Sequence, residues 1–385
     1  MITDFITPIN LEEVIDPNKP WQDAQLGKKV VFNEKNDFDL EKFKLAIIGV
    51  PEDRNSLDNH GCGKAPNNIR KELYQLFFHG IMPELIDLGN ILPGKTIKDT
   101  QYALKELLSE LINHKVTLII LGGGHDLTFG QFLAYEKRIH HSDLVVIDEK
   151  IDLEENSEVN ANTFLWQILN HQPNYLRSLT HMGHQLFYTH PKFVDMLESL
   201  NFDAYRLVEM RNDMLEMEPF LRNADLVSFD ISALRSADAP ADAVTSPNGL
   251  NGEEACQLSR FAGISNKVSS FGLYEVNPYF DQNKQGIKQA SQMIWYFIEG
   301  FTLRKEDDYP SENNHEFIKY LVNLESVDHE IIFWKSNYSN KWWMEIPQDS
   351  LAHPAYIPCS YKDYLLAMQD ELPDKWMKVY NRLNG

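Results

Sequence analysis

Short apolar runs bounded by polar residues or glycine recur from residue 45 to residue 276. They are Leu45 to Val50 (LAIIGV), Val116 to Leu121 (VTLIIL), Leu144 to Asp148 (LVVID), Ala204 to Val208 (AYRLV), Asp225 to Ile231 (DLVSFDI) and Val268 to Val276 (VSSFGLYEV). Runs this uniformly apolar predict strands buried on both faces. Between them, Ile69 to Phe78, Thr100 to Asn113, Pro191 to Leu200 and Glu253 to Ile264 carry apolar residues at helical spacing. The alternation predicts an α/β fold in three αβα layers, with a mostly parallel sheet of about eight strands joined by right-handed crossovers. Ligands of such sheets belong beyond the C-terminal ends of the strands.

A helical pattern over Gly286 to Leu303 closes this unit, so a first domain is expected over 1–304. From Arg304 the chain turns polar (RKEDDYPSENNHE). Glu330 to Ser336 and Lys341 to Pro347 then read as a hairpin around Asn337 to Asn340. Four of the seven tryptophans, Trp334, Trp342, Trp343 and Trp376, lie in this extension, 305–385, which is too aromatic for a disordered segment. Two readings stand for it: packing against the first domain, or a contact surface for a protein partner.

Charge narrows the partners. Lys plus Arg number 36 against 57 Asp plus Glu, a net charge of -21, which repels nucleic-acid phosphates and anionic membrane surfaces. Cys62, Cys256 and Cys359 are too scattered for a thiolate metal site and read as reduced packing or surface residues. The opening MITDFITPINLEEVIDP lacks a basic region followed by an apolar run, and no stretch is long and apolar enough to cross a bilayer, so a cytoplasmic protein is expected.

Three predicted strands end in potential metal ligands. Val116 to Leu121 runs into Gly122-Gly123-Gly124-His125-Asp126, Leu144 to Ile147 into Asp148 with Asp152 four residues on, and Leu226 to Phe229 into Asp230. Singly, each has a plain reading: a tight turn or phosphate cradle, a helix N-cap, a core histidine. Together, one imidazole and three carboxylates form an N/O set suited to Mn²⁺, and less well to Zn²⁺ or Fe²⁺. The glycines then let His125 approach a buried ion closely.

At these residues the chain resembles the ureohydrolase superfamily of arginase, agmatinase and formimidoylglutamase. The signature Gly-Gly-x-His falls on Gly122, Gly123 and His125, and GGGHD approaches the formimidoylglutamase form. Asp-x-His-x-Asp falls on Asp148-Glu149-Lys150-Ile151-Asp152, and Ser-x-Asp-x-Asp on Ser228-Phe229-Asp230-Ile231-Ser232. Ile48 to Arg70, Ala239-Pro240, Pro247 to Leu250 and Tyr274-Glu275-Val276-Asn277-Pro278 resemble further family segments.

The resemblance implies a two-Mn²⁺ site that activates water against an amidine carbon. It assigns His125, Asp148, Asp152 and Asp230 to the first ion, makes Asp148 and Asp230 shared ligands, and sets Glu275 against the substrate's amidine. The second ion's private ligands fall on Lys150 and Ser232, a cation and a poor ligand, so one Mn²⁺ or none is expected, not a two-metal cluster. Two readings stand for Lys150: it replaces the lost ion by pairing with Asp148 and Asp230, or it swings to solvent from a decayed loop. Arg235 and Ala241 also depart from the family pattern, and the loop Glu154 to Thr163 lacks the histidine that serves arginases as a proton shuttle. His181, His184 and His190 have no zinc-protease spacing and read as surface or structural residues.

Two functions follow: an impaired hydrolase of linear amidine or guanidino C–N bonds, with formimidoylglutamate as the nearest family substrate, or an inactive descendant serving as a scaffold or binding module. A homo-oligomer, such as a trimer or hexamer, is implied by resemblance alone.

Overall fold

The computed structural model describes residues 2–138, 141–156, 158–305, 310, 315–325, 329–349 and 353–384. Its main sheet is built from β1 (Ile6–Thr7), β2 (Val31–Phe32), β3 (Leu45–Gly49), β4 (Leu85–Ile91), β5 (Thr117–Leu121), β6 (Ser142–Ile147), β7 (Leu176–His184), β8 (Asp203–Arg206), β9 (Leu226–Asp230) and β10 (Ser270–Tyr274). The order across it is β1-β4-β3-β5-β10-β9-β6-β7-β8, with β2 paired to β4. Only the β1 to β4 pairing is antiparallel.

Successive residues of a strand point to opposite faces, and both faces are covered. Leu45, Ile47, Ile119, Leu121, Val227 and Phe229 pack on one side with helices Ala65–Leu73, Gly252–Ile264 and Gln285–Thr302. Ala46, Ile48, Leu118, Ile120, Leu144 and Val146 pack on the other with helices Ile97–Asn113 and Pro191–Ser199. This is the expected three-layer arrangement.

Five of the six apolar runs are buried strands; the sixth, Ala204 to Val208, is divided, with Ala204 to Arg206 in the half-exposed edge strand β8 and Leu207 and Val208 opening the helix Leu207–Asn212. β4 and β7 bring the count to eight, and the two-residue β1 and β2 complete the sheet. β4 (LIDLGNI) is hidden in the sequence by Asp87 and Gly89. Its buried carboxylate is matched by the equally buried Arg70, whose Nε donates at 2.7 Å and Nη2 at 2.9 Å. β7 (LRSLTHMGH) is hidden by its polar residues. The helix expected at Ile69 to Phe78 spans Ala65–Leu73 instead, started by Pro66 in its first turn. The one expected from Thr100 begins at Ile97, behind a capping box of Thr96 and Asp99.

A second, antiparallel sheet runs β11 (Phe317–Leu324), β12 (His329–Ser336), β13 (Trp342–Ile346), β14 (Ala355–Cys359), followed by helices Tyr361–Met368 and Asp374–Asn384. The expected hairpin is β12 with β13, and β11 and β14 flank it. Within the polar stretch after Arg304, residues 306–309 and 311–314 lie outside the described ones. All four tryptophans are buried. The Arg222 guanidinium of the main unit donates to Trp342 O and Cys359 O at 3.0 to 3.2 Å and sits 4.7 Å from the Trp343 ring centroid. Lys378 bonds Asp203 at 2.9 Å. Among the described residues, no helix is long and apolar enough to cross a membrane.

Candidate metal centre

Strands β5, β10, β9 and β6 are neighbours in the sheet, so their C-terminal ends deliver residues far apart in sequence to one place. His125 Nδ1 lies 3.0 Å from Asp230 Oδ2, 3.1 Å from Asp148 Oδ2 and 3.6 Å from Asp152 Oδ2. Two ligands on an ion at about 2.1 Å, at right angles, stand ~3 Å apart. Neither His125 Nδ1 nor Asp148 Oδ2 has a hydrogen-bond partner, although both are fully buried. Lone-pair atoms turned toward one another in a dry site, N and O only, fit one Mn²⁺-type ion between them. His125, Asp148 and Asp230 have ligand atoms within 4.8 Å of one another, and Asp152 borders them.

The imidazole is held for this task. Its Nε2 lies 2.9 Å from Ser228 Oγ, which in turn contacts Thr128 Oγ1, so a proton on Nε2 leaves the Nδ1 lone pair facing the carboxylates. Phe164 packs on the ring at a centroid distance of 4.5 Å. Burial by itself disfavours the imidazolium, yet the carboxylates of Asp148, Asp152 and Asp230 hold the His125 pKa well above the ordinary value.

The glycines do something other than make room for an ion. Gly122 and Gly123 have φ of 74° and 83°, and a Cβ on Gly123 would meet Glu52 O and Val50 O at 2.8 Å. They let the chain turn under the neighbouring strand ends, which sets where His125 stands.

At the second ion's position the side chains are engaged otherwise. Lys150 Nζ makes no ion pair with Asp148 or Asp230 among the described residues, contrary to the stand-in reading. It donates to Asn162 Oδ1 at 2.9 Å and lies 3.7 Å from Asp152 Oδ1. The physical reason lies in the backbone: Lys150 N–H donates to Asp148 Oδ1 at 3.2 Å, and from that turn the side chain runs out to the Asn162 loop. Ser232 Oγ donates to the same Asp148 Oδ1, also at 3.2 Å, and Ser232 N to Asp230 Oδ1 at 2.7 Å.

A small pocket of about 90 Å³ opens beside these residues, lined among others by Asn59, Glu149, Lys150, Asp230, Asp242 and Glu275. Glu275 is held in a left-handed conformation (φ 60°), a strain that L residues adopt where neighbours impose it. Its Oε1 accepts from His125 N at 2.6 Å and its Oε2 from Asn59 Nδ2 at 2.8 Å. Asn59 also reaches Asp242 Oδ2 at 3.2 Å. Burial, and then the charge of Asp230, pushes Glu275 well up and Asp242 up to about 8; burial and Asp148 push Glu149 up to about 9. Negative charge is costly throughout this pocket, and a bound cation relieves it.

Motif matching gives no role to Ser228, Asn59, Asn162, Glu149 or Asp242. Ser228 and Glu149 fall within quoted signatures, whereas Asn59 meets Glu275 across 216 residues of sequence. His181 and His184 are buried on β7, and His190 caps the helix Pro191–Ser199, so none is a ligand of this centre. Arg235 pairs with Asp238 at the surface, and Ala241 is buried facing Gly286, where a larger helix residue would collide. All three cysteines are free and buried.

The Arginase family matches this chain over residues 43–299. Formimidoylglutamase from Staphylococcus haemolyticus is 26% identical over 274 residues, covering 67% of this chain and 86% of that protein. Formimidoylglutamase from Photorhabdus laumondii is 25% identical over 275 residues, with the same shares. The fold is similar to that of a Trypanosoma cruzi formiminoglutamase crystal structure with Mn²⁺, at a TM-score of 0.65 and 19% identity, over 70% of this chain and 97% of that one. It is also similar to Bacillus subtilis formimidoylglutamase, at a TM-score of 0.67 and 17% identity, over 75% and 96%. With more than half its length matched and the family's strand-end residues gathered at one place, the chain belongs to the arginase family.

Proposed function

We propose that this protein is a single-metal hydrolase of a linear amidine or guanidino C–N bond, slower than two-metal members of its family. The observation that carries the reading is the asymmetry of the centre. Every ligand of one ion converges on His125 Nδ1, while the other ion's private positions hold Lys150 and Ser232. A divalent ion held by His125, Asp148 and Asp230 would supply Lewis acidity and would lower the pKa of a water.

The chain's own residues supply the rest. His125 is oriented by Ser228, Asp148 by Lys150 N and Ser232 Oγ, and Glu275 by Asn59 and His125 N. Asp148 and Asp230, at the ends of adjacent strands, would hold the ion beside His125. Glu275 lies at the pocket wall to receive its N–H groups. Loss of one ion removes several kcal/mol of transition-state stabilisation, roughly 10³-fold in rate.

A second reading, a binding module without turnover, is favoured by one contact: Lys150 lies 3.7 Å from Asp152 and competes with the ion for that carboxylate. Metal analysis of protein prepared with Mn²⁺, with assays on formimidoylglutamate, agmatine, arginine and guanidinobutyrate, separates the two. One ion per chain with slow, metal-dependent release of ammonia or urea supports the hydrolase. Two ions per chain overturns the site assignment, and one ion without turnover of any substrate supports the binding module.

A further inference from the structure

We propose that the pocket beside His125 selects a cationic amidine or guanidine whose tail carries no carboxylate, and that Glu149 and Asp242 make the selection. This rests on the amidine-hydrolase reading for the chemical class of the ligand, and it departs from the dicarboxylate that gives the similar enzymes their name.

The acidic and basic groups at the pocket are unequal in number. Asp58, Glu149, Asp152, Asp230, Asp242 and Glu275 line it against Lys150 alone, and no arginine lines it among the described residues. Asp152 and Asp230 belong to the metal ligands, and Lys150 is tied to Asp152 and Asn162. What faces a ligand is therefore the exposed Asp58 and the buried Glu149, Asp242 and Glu275. Each oxygen of Glu275 already accepts a hydrogen bond, from His125 N and from Asn59. Glu149 differs: it is 3% exposed, and its Oε2 has no hydrogen-bond partner. A buried, unpartnered carboxylate oxygen at a pocket wall is an acceptor awaiting a donor.

An amidinium or guanidinium supplies planar N–H donors and the positive charge that this wall lacks. A glutamate tail would instead bring two carboxylates past Asp58 and against Glu149 and Asp242, with one committed lysine to meet them. The uncharged lining residues Leu57 and Val244 are exposed, which suits an alkyl tail. The net charge of -21 draws cations toward the molecule from a distance.

Calorimetric titration of the Mn²⁺-loaded full-length protein with 1-butylguanidine and with N-formimidoyl-L-glutamate tests this. Butylguanidine is expected to bind at least about tenfold more tightly, and Glu149→Gln and Asp242→Asn each to weaken it about tenfold. Metal content and Tm, measured on each variant, verify that fold and ion are intact. Tighter or equal binding of formimidoylglutamate overturns the proposal, as does unchanged butylguanidine affinity in either variant. Butylguanidine binding with no hydrolysis of any amidine supports the proposal and removes the hydrolase reading. Hydrolysis of formimidoylglutamate without the expected preference does the reverse.

Discussion

Lys150 Nζ stands 3.7 Å from Asp152 Oδ1, and its hydrogen bond to Asn162 keeps it on the loop side of that carboxylate. The lysine thus meets Asp152, which borders the His125, Asp148 and Asp230 group, and leaves Asp148 to Ser232. The Asp152 charge, opposed by burial, raises the Lys150 pKa, so this cation persists across the neutral range. Restoring the two lost ligand types with Lys150→His and Ser232→Asp together is expected to raise Mn²⁺ from one to two ions per chain, read by elemental analysis and by electron-spin coupling. Retention of one ion in a folded double variant would show that the position is lost for a reason other than these two side chains.

His125 has one anchor on its far side, Ser228 Oγ at 2.9 Å. Ser228→Ala frees the ring and its tautomer without touching any ligand atom. Mn²⁺ affinity is expected to fall about 10- to 100-fold, as it does when outer hydrogen bonds to metal-bound histidines are removed. Competition with a fluorescent chelator measures it, and an unchanged affinity would mean that Phe164 packing alone fixes the ring.

Five buried apolar strands and the residues at their ends were legible because both depend on local sequence: strands buried on two faces leave continuous apolar runs, and a ligand at a strand end directly follows one; the Ala204 to Val208 run misled at its end, where Leu207 opens a helix. β4 was illegible because Asp87 reads as a turn residue until Arg70, 17 positions earlier and fully buried, is known to neutralise it. At the centre, ligand types were legible and ligand partners were not. The direction of the Lys150 side chain depends on Asn162 and on a turn closed by Asp148 Oδ1, neither of which a signature contains. Asn59, the clamp on Glu275, carries no local signal at all.

Gly123 offers a test of the strand-end turn. Its φ of 83° is unfavourable for any residue with a Cβ, and that Cβ would press on the backbone oxygens of Val50 and Glu52 at 2.8 Å. Gly123→Ala is expected to destabilise the protein by about 2 kcal/mol or more and to lower metal affinity, because His125 lies two residues on. Gly80 has a comparable φ of 91° with nothing within 4 Å of the added Cβ, so Gly80→Ala measures the conformational part alone. Equal losses at the two sites would remove the collision as the cause.

Arg70 and Asp87 form a buried pair with Tyr74 also hydrogen-bonded to the carboxylate. Arg70→Ala leaves Asp87 charged and under-bonded beneath the sheet, at an expected cost of about 3 to 5 kcal/mol in urea unfolding. Arg70→Ala with Asp87→Ala together is expected to cost less than the first change alone, since no charge is then stranded. A larger loss in the double variant would mean that packing volume, not charge, dominates there.

Acid stability carries the signature of His181. Burial, with the neighbouring His184 adding to it, lowers its pKa from 6.5 to about 3, and its Nε2 contacts Lys150 O at 2.9 Å. Above pH 6.5 both the folded and unfolded histidine are neutral, and the group contributes no pH dependence. As pH falls from about 6.5 to about 3, the unfolded chain takes up a proton that the folded chain refuses, so folding stability drops by up to ~1.4 kcal/mol per pH unit. Other groups titrate in the same range, so the informative quantity is a difference: His181→Gln, which cannot ionise, is expected to lose stability less steeply than wild type between pH 6.5 and 4. Urea midpoints taken along that series measure it. Parallel slopes for the two proteins would mean that the folded His181 takes up its proton as readily as the unfolded one, through an opening of β7 to water.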